Sequence, residues 1–552
     1  MSAYHERPRP ARYDAAQPTD FDAEHPHAVA MFQDAVRRFP DRPLIHYFDA
    51  ALTAAELDGL SDAFAVALQD RGVAAGERVA LYLQNVPQFA IALLGAWKAG
   101  CVAVPINPMN KRRELALLLA DSGAAVLVAL RGLHESVAAG ALAETAVTWT
   151  ITTAERAHQT RDDPRVLPEP DVAVPAGTTD LAALLDEHRG RRPVPVPLAP
   201  EDVAVLTYTS GTTGPPKGAM NTHRNVVFDA RVWRDWVGLG PDDVILGVAP
   251  LFHITGLVGH LALALLTPAA LVLTHRFDPG AVVDAVREHR PTFTVGAITV
   301  FIALLNTGAT RDDLASLRRI YSGGAPIPPS TVLAFERRFG QRIHNVYGLT
   351  ETTSAAFAQP WAVEAPVDES SGALSVGVPV YSTRARIIGE DGRELPPGEV
   401  GELVISGPQV VAGYWGKPEE TESALPGGEL RTGDVARMDA DGWFYLVDRK
   451  KDQINAGGFK VWPREVEDVL YEHPAVREAA VIGVPDAYRG ETVRAYVSLR
   501  PDHEAAPEEL VEFCRARLAA YKYPRQVEVL TELPKTTTGK LLRRELRARH
   551  AD

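Results

Sequence analysis

An α/β fold is predicted by three features of this 552-residue chain. Strand and helix patterns alternate through most of its length. The apolar runs are short, as buried sheet strands require. A second compact α/β unit follows a turn-rich boundary near Asp448. The expected architecture is a large N-terminal domain of α/β subdomains, residues 1–448, a junction at 449–451, and a small α/β domain over 452–552.

The elements justify this reading in order. Asp58 to Asp70 has helical spacing, Arg78 to Leu83 reads as a strand, Pro87 to Ala99 as a helix and Val102 to Pro105 as the next strand. The run Arg192-Pro193-Val194-Pro195-Val196-Pro197 favours an extended polyproline path. It delivers the chain to a buried strand, Val203 to Tyr208. The most apolar stretch, Leu257 to Leu273, is interrupted by His260, Thr267 and Pro268 and falls short of the ~20 residues that span a bilayer. It reads as a buried helix, a break at Pro268, and a strand from Ala270. Asp439-Ala440-Asp441-Gly442 is a turn, with a strand from Trp443 to Val447 after it. In the small domain a helix starts at Pro463, a favoured first-turn residue, with Val466, Val469 and Leu470 on one face. Strands over Ala479 to Val484 and Val493 to Leu499, a helix near Pro507 and a strand over Val527 to Leu530 complete it.

Composition narrows the function classes. With a net charge of −14, nothing demands the basic face that a nucleic-acid binder usually carries, while a local loop in an acidic protein can bind phosphate. Two distant cysteines, Cys101 and Cys514, make neither a disulfide framework nor a zinc site and fit a reducing cytoplasm. The first fourteen residues lack the apolar centre of a signal peptide. The oligomeric state stays open, a homodimer included.

The chemistry begins after the strand ending at Tyr208. Thr209-Ser210-Gly211-Thr212-Thr213-Gly214-Pro215-Pro216-Lys217 combines glycines that admit close backbone approach, hydroxyls and a lysine, the parts of a phosphate cradle. It is not a Walker A loop, because Pro216 precedes Lys217 and Gly218 follows it. A motor ATPase or GTPase is disfavoured.

This block resembles the signature loop of the adenylate-forming superfamily, which holds acyl-CoA synthetases, peptide-synthetase adenylation domains and beetle luciferases. Further matching segments follow in the family's order: Lys98-Ala99-Gly100, Pro250-Leu251-Phe252-His253, Ser322-Gly323-Gly324-Ala325-Pro326, Tyr347-Gly348-Leu349-Thr350-Glu351-Thr352, Gly413-Tyr414, Arg431-Thr432-Gly433-Asp434, Asp448-Arg449-Lys450-Lys451, Gly457-Gly458-Phe459 and Pro534-Lys535-Thr536-Thr537-Thr538-Gly539-Lys540. In style the chain is similar to bacterial medium- and long-chain fatty-acid CoA ligases.

The resemblance implies roles. Thr209 to Lys217 close over the β- and γ-phosphates of ATP. Gly323, Gly324, Ala325 and Pro326 wall the adenine site, and the segment from Asn345 through Tyr347 to Gly348 continues it, with Tyr347 stacked on the base. Thr350 bonds the α-phosphate, Glu351 holds Mg²⁺, Asp434 accepts from both ribose hydroxyls, and Arg449 supports the nucleotide. Lys540 offsets the repulsion between the attacking carboxylate and the α-phosphate, and His253 gates the carboxylate. Lys451 is the hinge about which the mobile small domain rotates as a lid, bringing Gly457, Gly458 and Phe459 to a coenzyme A channel. Leu257, Val258, Gly296, Ile298 and Phe301 give the acyl pocket its apolar character. The implied reaction is ATP-dependent ligation of a hydrophobic carboxylic acid, fatty or aryl, to CoA through an acyl-AMP. An acceptor other than CoA, such as a carrier protein, is the alternative.

Overall fold

A computed structural model describes residues 20–167, 172–209, 216–368, 373–449, 452–456, 459–486, 490–535 and 541–549, with backbone alone at 448, 449, 459, 460 and 490. Lys451, Gly457, Gly458, Lys540 and the loop residues Ser210, Gly211, Thr212, Thr213 and Gly214 lie outside the described residues, as do the side chains of Arg449 and Phe459.

The mixed α/β expectation holds. Among the described residues the strands form four sheets. A seven-stranded sheet runs in the order Thr179–Asp180, Trp149–Thr153, Val126–Leu130, Arg78–Tyr82, Val102–Pro105, Val203–Tyr208, Gly218–Thr222. Its strands are parallel except the last, which pairs antiparallel with Val203–Tyr208. A nine-stranded sheet extends from Val378–Pro379 through Ile343–Tyr347, Arg319–Ser322 and Phe293–Gly296 to Pro43–Tyr47 and Ala50–Thr53. A four-stranded antiparallel sheet covers Arg384–Ile388 to Phe444–Arg449. The small domain holds the fourth sheet, centred on Val476–Asp486 and Gly490–Leu499.

The largest core cluster joins residues of the two big sheets and the helices beside them. Helix Pro87–Lys98 is buried at every position, which explains why it is apolar nearly all round. Trp97 is fully buried and donates Nε1 to the Ala204 carbonyl at 2.9 Å, tying this helix to the strand Val203–Tyr208. Its one charge, Lys98, is neutralised by Asp58 at 2.7 Å and Asp62 at 2.6 Å, as a buried ammonium requires. Arg192 reaches both carboxylates from the proline-rich strap, and Gln69 exchanges two hydrogen bonds with the Val194 backbone. Gly100 has φ +75°, and a Cβ there would meet Val196 of the strap at 2.7 Å. The Lys-Ala-Gly segment therefore seats the strap.

The apolar stretch at Leu257 proves less regular than a single helix. A π-helical turn, Leu257–Ala262, is followed by an α turn, Leu263–Leu266, before the strand Ala270–Leu273. No helix among the described residues is long and apolar enough to cross a membrane.

Candidate nucleotide and acyl site

Several of the residues singled out by their motifs stand at strand ends: Thr209 follows Val203–Tyr208, Gly323 follows Arg319–Ser322, and Tyr347 ends Ile343–Tyr347, the position at which open α/β sheets bind ligands. At the ends of the loop expected to bind phosphate, the Thr209 N–H donates to the Lys217 carbonyl at 3.0 Å. Lys217 then places Nζ over the Tyr414 ring, 5.1 Å from its centre. The Tyr414 hydroxyl donates to Glu351 Oε1 at 2.7 Å, and burial together with Glu351 pushes the phenol's pKa up. A lysine, a tyrosine and a carboxylate distant in sequence thus form one polar group. The carboxylate is a hard donor with two acceptor oxygens, one taken by Tyr414. Among the described residues no cluster of three metal-ligating side chains exists. One carboxylate suits Mg²⁺ bound chiefly through substrate phosphates and water.

The residues expected to wall a nucleotide include Tyr347, four positions before Glu351 in the chain. Tyr347 ends the strand Ile343–Tyr347, with its ring packed near Phe357 at 5.8 Å between centroids. Its hydroxyl donates to Asp434 Oδ2 at 2.7 Å. Asp434 sits inside the strand Leu430–Met438, only 6% exposed, and its backbone pairs with Arg449 of the neighbouring strand. Asn345 is turned inward: Nδ2 donates to the Ser375 carbonyl at 2.9 Å and the backbone N–H to Gln359. Gly323 and Gly348 are demanded by packing. A Cβ on Gly323 would lie 2.5 Å from the Val346 carbonyl oxygen, and one on Gly348 1.4 Å from that of Ser354. Gly324 has φ +76°, so Ala325 and Pro326 leave a left-handed turn.

His253 caps the short helix Ile254–Gly256, with Nδ1 accepting from the Thr255 N–H at 3.3 Å. That bond makes Nε2 the protonated nitrogen of the neutral ring. The proposed acyl residues do not form one cluster. Leu257 and Val258 belong to the core between the large sheets, while Ile298 and Phe301 belong to a second cluster in which Phe301 packs edge-on to Phe335 at 5.7 Å. Gly296 adjoins Val248, 2.9 Å from where its Cβ would be, and its carbonyl accepts from the Gly323 N–H.

Motif reading missed Tyr414's partner and two buried side chains, Asn221 and Asp229. Asn221 donates to the Thr350 carbonyl at 3.2 Å and to Thr353 Oγ1 at 3.0 Å. A separate cleft of about 490 Å³ lies away from this chemistry. Its Arg161 and Arg165 are already paired with Glu288, Asp163 and Asp284, so it presents no unmet charge.

The chain is similar to known proteins along most of its length. Residues 32–415 match the AMP-binding enzyme family and residues 465–540 match the AMP-binding enzyme C-terminal domain. The chain is 36% identical over 567 residues to a long-chain-fatty-acid–CoA ligase of Bacillus subtilis (strain 168), covering 98% of each chain. It is 39% identical over 515 residues to a feruloyl-CoA synthase of an Amycolatopsis species, covering 93% of this chain and 97% of that one. The structure of the anthranilate CoA ligase AuaEII in complex with anthranoyl-AMP superposes with a TM-score of 0.85 at 27% identity, covering 97% of this chain and 98% of that one. A match spanning the phosphate loop, the Tyr347–Glu351 segment and the core of the small domain leaves one conclusion: the chain belongs to the AMP-binding enzyme family.

Proposed function

We infer that this protein is an ATP-dependent carboxylate–CoA ligase acting on a hydrophobic carboxylic acid, fatty or aryl. The observation that carries the reading is the convergence of Lys217, Tyr414 and Glu351 beside the Tyr347–Asp434 pair, in a chain with full-length likeness to acyl- and aryl-CoA ligases. ATP, Mg²⁺ and CoA are the co-substrates and ion of the reaction.

In the first half-reaction a carboxylate oxygen attacks the α-phosphorus of ATP. The bond to the β-phosphate oxygen breaks, and pyrophosphate leaves. In the second, the CoA sulfur attacks the acyl carbonyl, AMP departs, and the thiol proton is lost. The protein's part is orientation and charge placement. Thr209 to Lys217 hold the β- and γ-phosphates, Thr350 the α-phosphate, and Asp434 the ribose. Glu351 holds Mg²⁺, which neutralises phosphate charge when bound. His253, at the start of the short helix Ile254–Gly256, gates the substrate carboxylate. Lys540 screens the two anions as they meet, and rotation about Lys451 exchanges it for the Gly457–Gly458–Phe459 segment, where small residues admit pantetheine. A cytoplasmic location accords with two free, buried thiols, Cys101 and Cys514.

A panel of carboxylic acids scored by AMP release with CoA present tests the substrate class. Hydrophobic monocarboxylates outperform acetate and zwitterionic amino acids; the highest kcat/KM on acetate or an amino acid would overturn the reading. Lys540→Ala lowers acyl-AMP formation by about 10²–10³-fold yet still converts supplied acyl-AMP and CoA. A bulky residue at Gly458 does the reverse. Isolated half-reactions are compared because overall turnover reports only the slower step.

A further inference from the structure

The turn after Thr350 and Glu351 is strained. Thr353 has φ +53° and Ser354 φ +113°, values that side-chain-bearing residues seldom adopt without support. The support comes from the strand and helix that directly follow the phosphate loop. Asn221 holds Thr350 and Thr353, and Thr353 Oγ1 donates to the Gln409 carbonyl at 2.8 Å. Trp233 Nε1 donates to Ser354 Oγ at 3.2 Å. One helical turn earlier, Asp229 Oδ2 accepts from the Ala355 N–H at 3.1 Å.

Asp229 is the unexpected member. It is fully buried, and its Oδ1 has no hydrogen-bond partner. A carboxyl in that position costs stability that an apolar residue would not. An apolar residue would, however, leave the Ala355 N–H without its acceptor. We propose that Asp229 is a positioning residue for adenylation: by pinning Ala355 it fixes the strained turn, and with it the places of Thr350 and Glu351. Burial pushes the carboxyl well above the usual carboxylate range, so it acts as a neutral acceptor that an amide can replace. The same segment, from Lys217 to Trp233, then anchors both the phosphate loop and the metal-binding turn. The inference rests on the assignment of Thr350 to the α-phosphate and Glu351 to Mg²⁺.

The test compares Asp229→Leu, Asp229→Asn, Trp233→Phe and Glu351→Gln in the full chain. Three readouts are needed: ATP–pyrophosphate exchange across a Mg²⁺ titration, thioester formation from supplied acyl-AMP and CoA, and Mn²⁺–ATP binding followed by water-proton relaxation. Asp229→Leu lowers exchange turnover by about 10- to 100-fold and weakens Mn²⁺–ATP binding, while the thioester half-reaction is retained. Asp229→Asn restores both. Trp233→Phe drops the bond to Ser354 and gives a smaller loss in the same half-reaction. The proposal is overturned if Asp229→Asn is as impaired as Asp229→Leu, or if both half-reactions fall alike. Should Asp229→Leu not fold, an unchanged Trp233→Phe enzyme overturns it. Glu351→Gln separates the two levels. If it leaves metal dependence unaltered, the assignment of Glu351 fails. If it alters metal dependence while Asp229→Leu does not, only the positioning role fails.

Discussion

The Tyr347 hydroxyl donates to Asp434 Oδ2 at 2.7 Å, joining the end of a strand in one sheet to an inner strand of another. The carboxylate proposed to hold the ribose is therefore oriented by the aromatic ring proposed to face the adenine. Removing that carboxylate removes both of the hydrogen bonds proposed to the ribose. Because a hydrogen bond to a charged group contributes about 1.5–3 kcal/mol, Asp434→Ala raises KM for ATP by more than about tenfold. Tyr347→Phe gives a smaller rise by freeing the carboxylate. Steady-state titration of ATP checks both, and an unchanged KM and kcat in Asp434→Ala would refute the nucleotide assignment.

Tyr414 does for Glu351 what Tyr347 does for Asp434, with its hydroxyl 2.7 Å from Oε1. Tyr414→Phe shifts the Mg²⁺ concentration for half-maximal adenylation by roughly tenfold, again from loss of one bond to a charged group. Glu351→Gln shifts it further. Equal Mg²⁺ dependence in wild type and Tyr414→Phe would show that the phenol does not orient the carboxylate.

Two glycine substitutions diverge. A Cβ at Gly348 lands 1.4 Å from the Ser354 carbonyl oxygen, so Gly348→Ala displaces the Thr350–Glu351 turn and lowers adenylation by about 10²-fold. Gly59, on the exposed face of helix Ala54–Asp70, has nothing within 4 Å of its Cβ position. Gly59→Ala stabilises the protein by about 0.5–1 kcal/mol and leaves turnover unchanged. Thermal melts and exchange assays on the two proteins distinguish them.

Acid sensitivity follows from buried histidines. Burial lowers His223, His260, His275 and His344 to about 4 from an ordinary 6.5. Folded, they stay neutral down to that value; unfolded, they bind protons near 6.5. Their contribution is thus complete above pH 6.5 and is lost as the pH falls toward 4, by up to about 1.4 kcal/mol per pH unit for each. Urea midpoints at pH 7.5 and 5.5 should differ accordingly, and His260→Gln should flatten the dependence. A slope unaffected by that change would rule His260 out as a contributor.

Local signals explain what could be read from the chain beforehand. The strands Val102–Pro105 and Val203–Tyr208 fall at the expected positions, because short apolar runs bounded by glycine, proline or charge have few alternatives. The helix expected from Asp58 begins earlier, at Ala54, where Thr53 and Glu56 form a capping box that was present in the sequence as Thr-Ala-Ala-Glu. The π-helical turn at Leu257 was not legible, since its periodicity is that of any buried helix. Nor were Asn221 and Asp229. Their partners lie 126 to 132 residues away for the bonds to Thr353 and Ala355, and no spacing rule connects them. The resemblance implies one apolar acyl pocket, yet nothing in the sequence shows that Phe301 and Leu257 occupy different clusters.

The order of strands has a consequence for biosynthesis. Ile45 pairs with Leu271, and Ala103 pairs with Val205, so each large sheet has an early strand that waits for a distant later one. The emerging chain must hold Pro43–Tyr47 unpaired on that side until Ala270–Leu273 has left the ribosome. Loop-closure entropy makes such long-range parallel pairing slow, and waiting edges invite aggregation. A nascent chain arrested before Ala270 therefore exposes open sheet edges and engages chaperones, whereas one arrested beyond Pro379 can complete both large sheets.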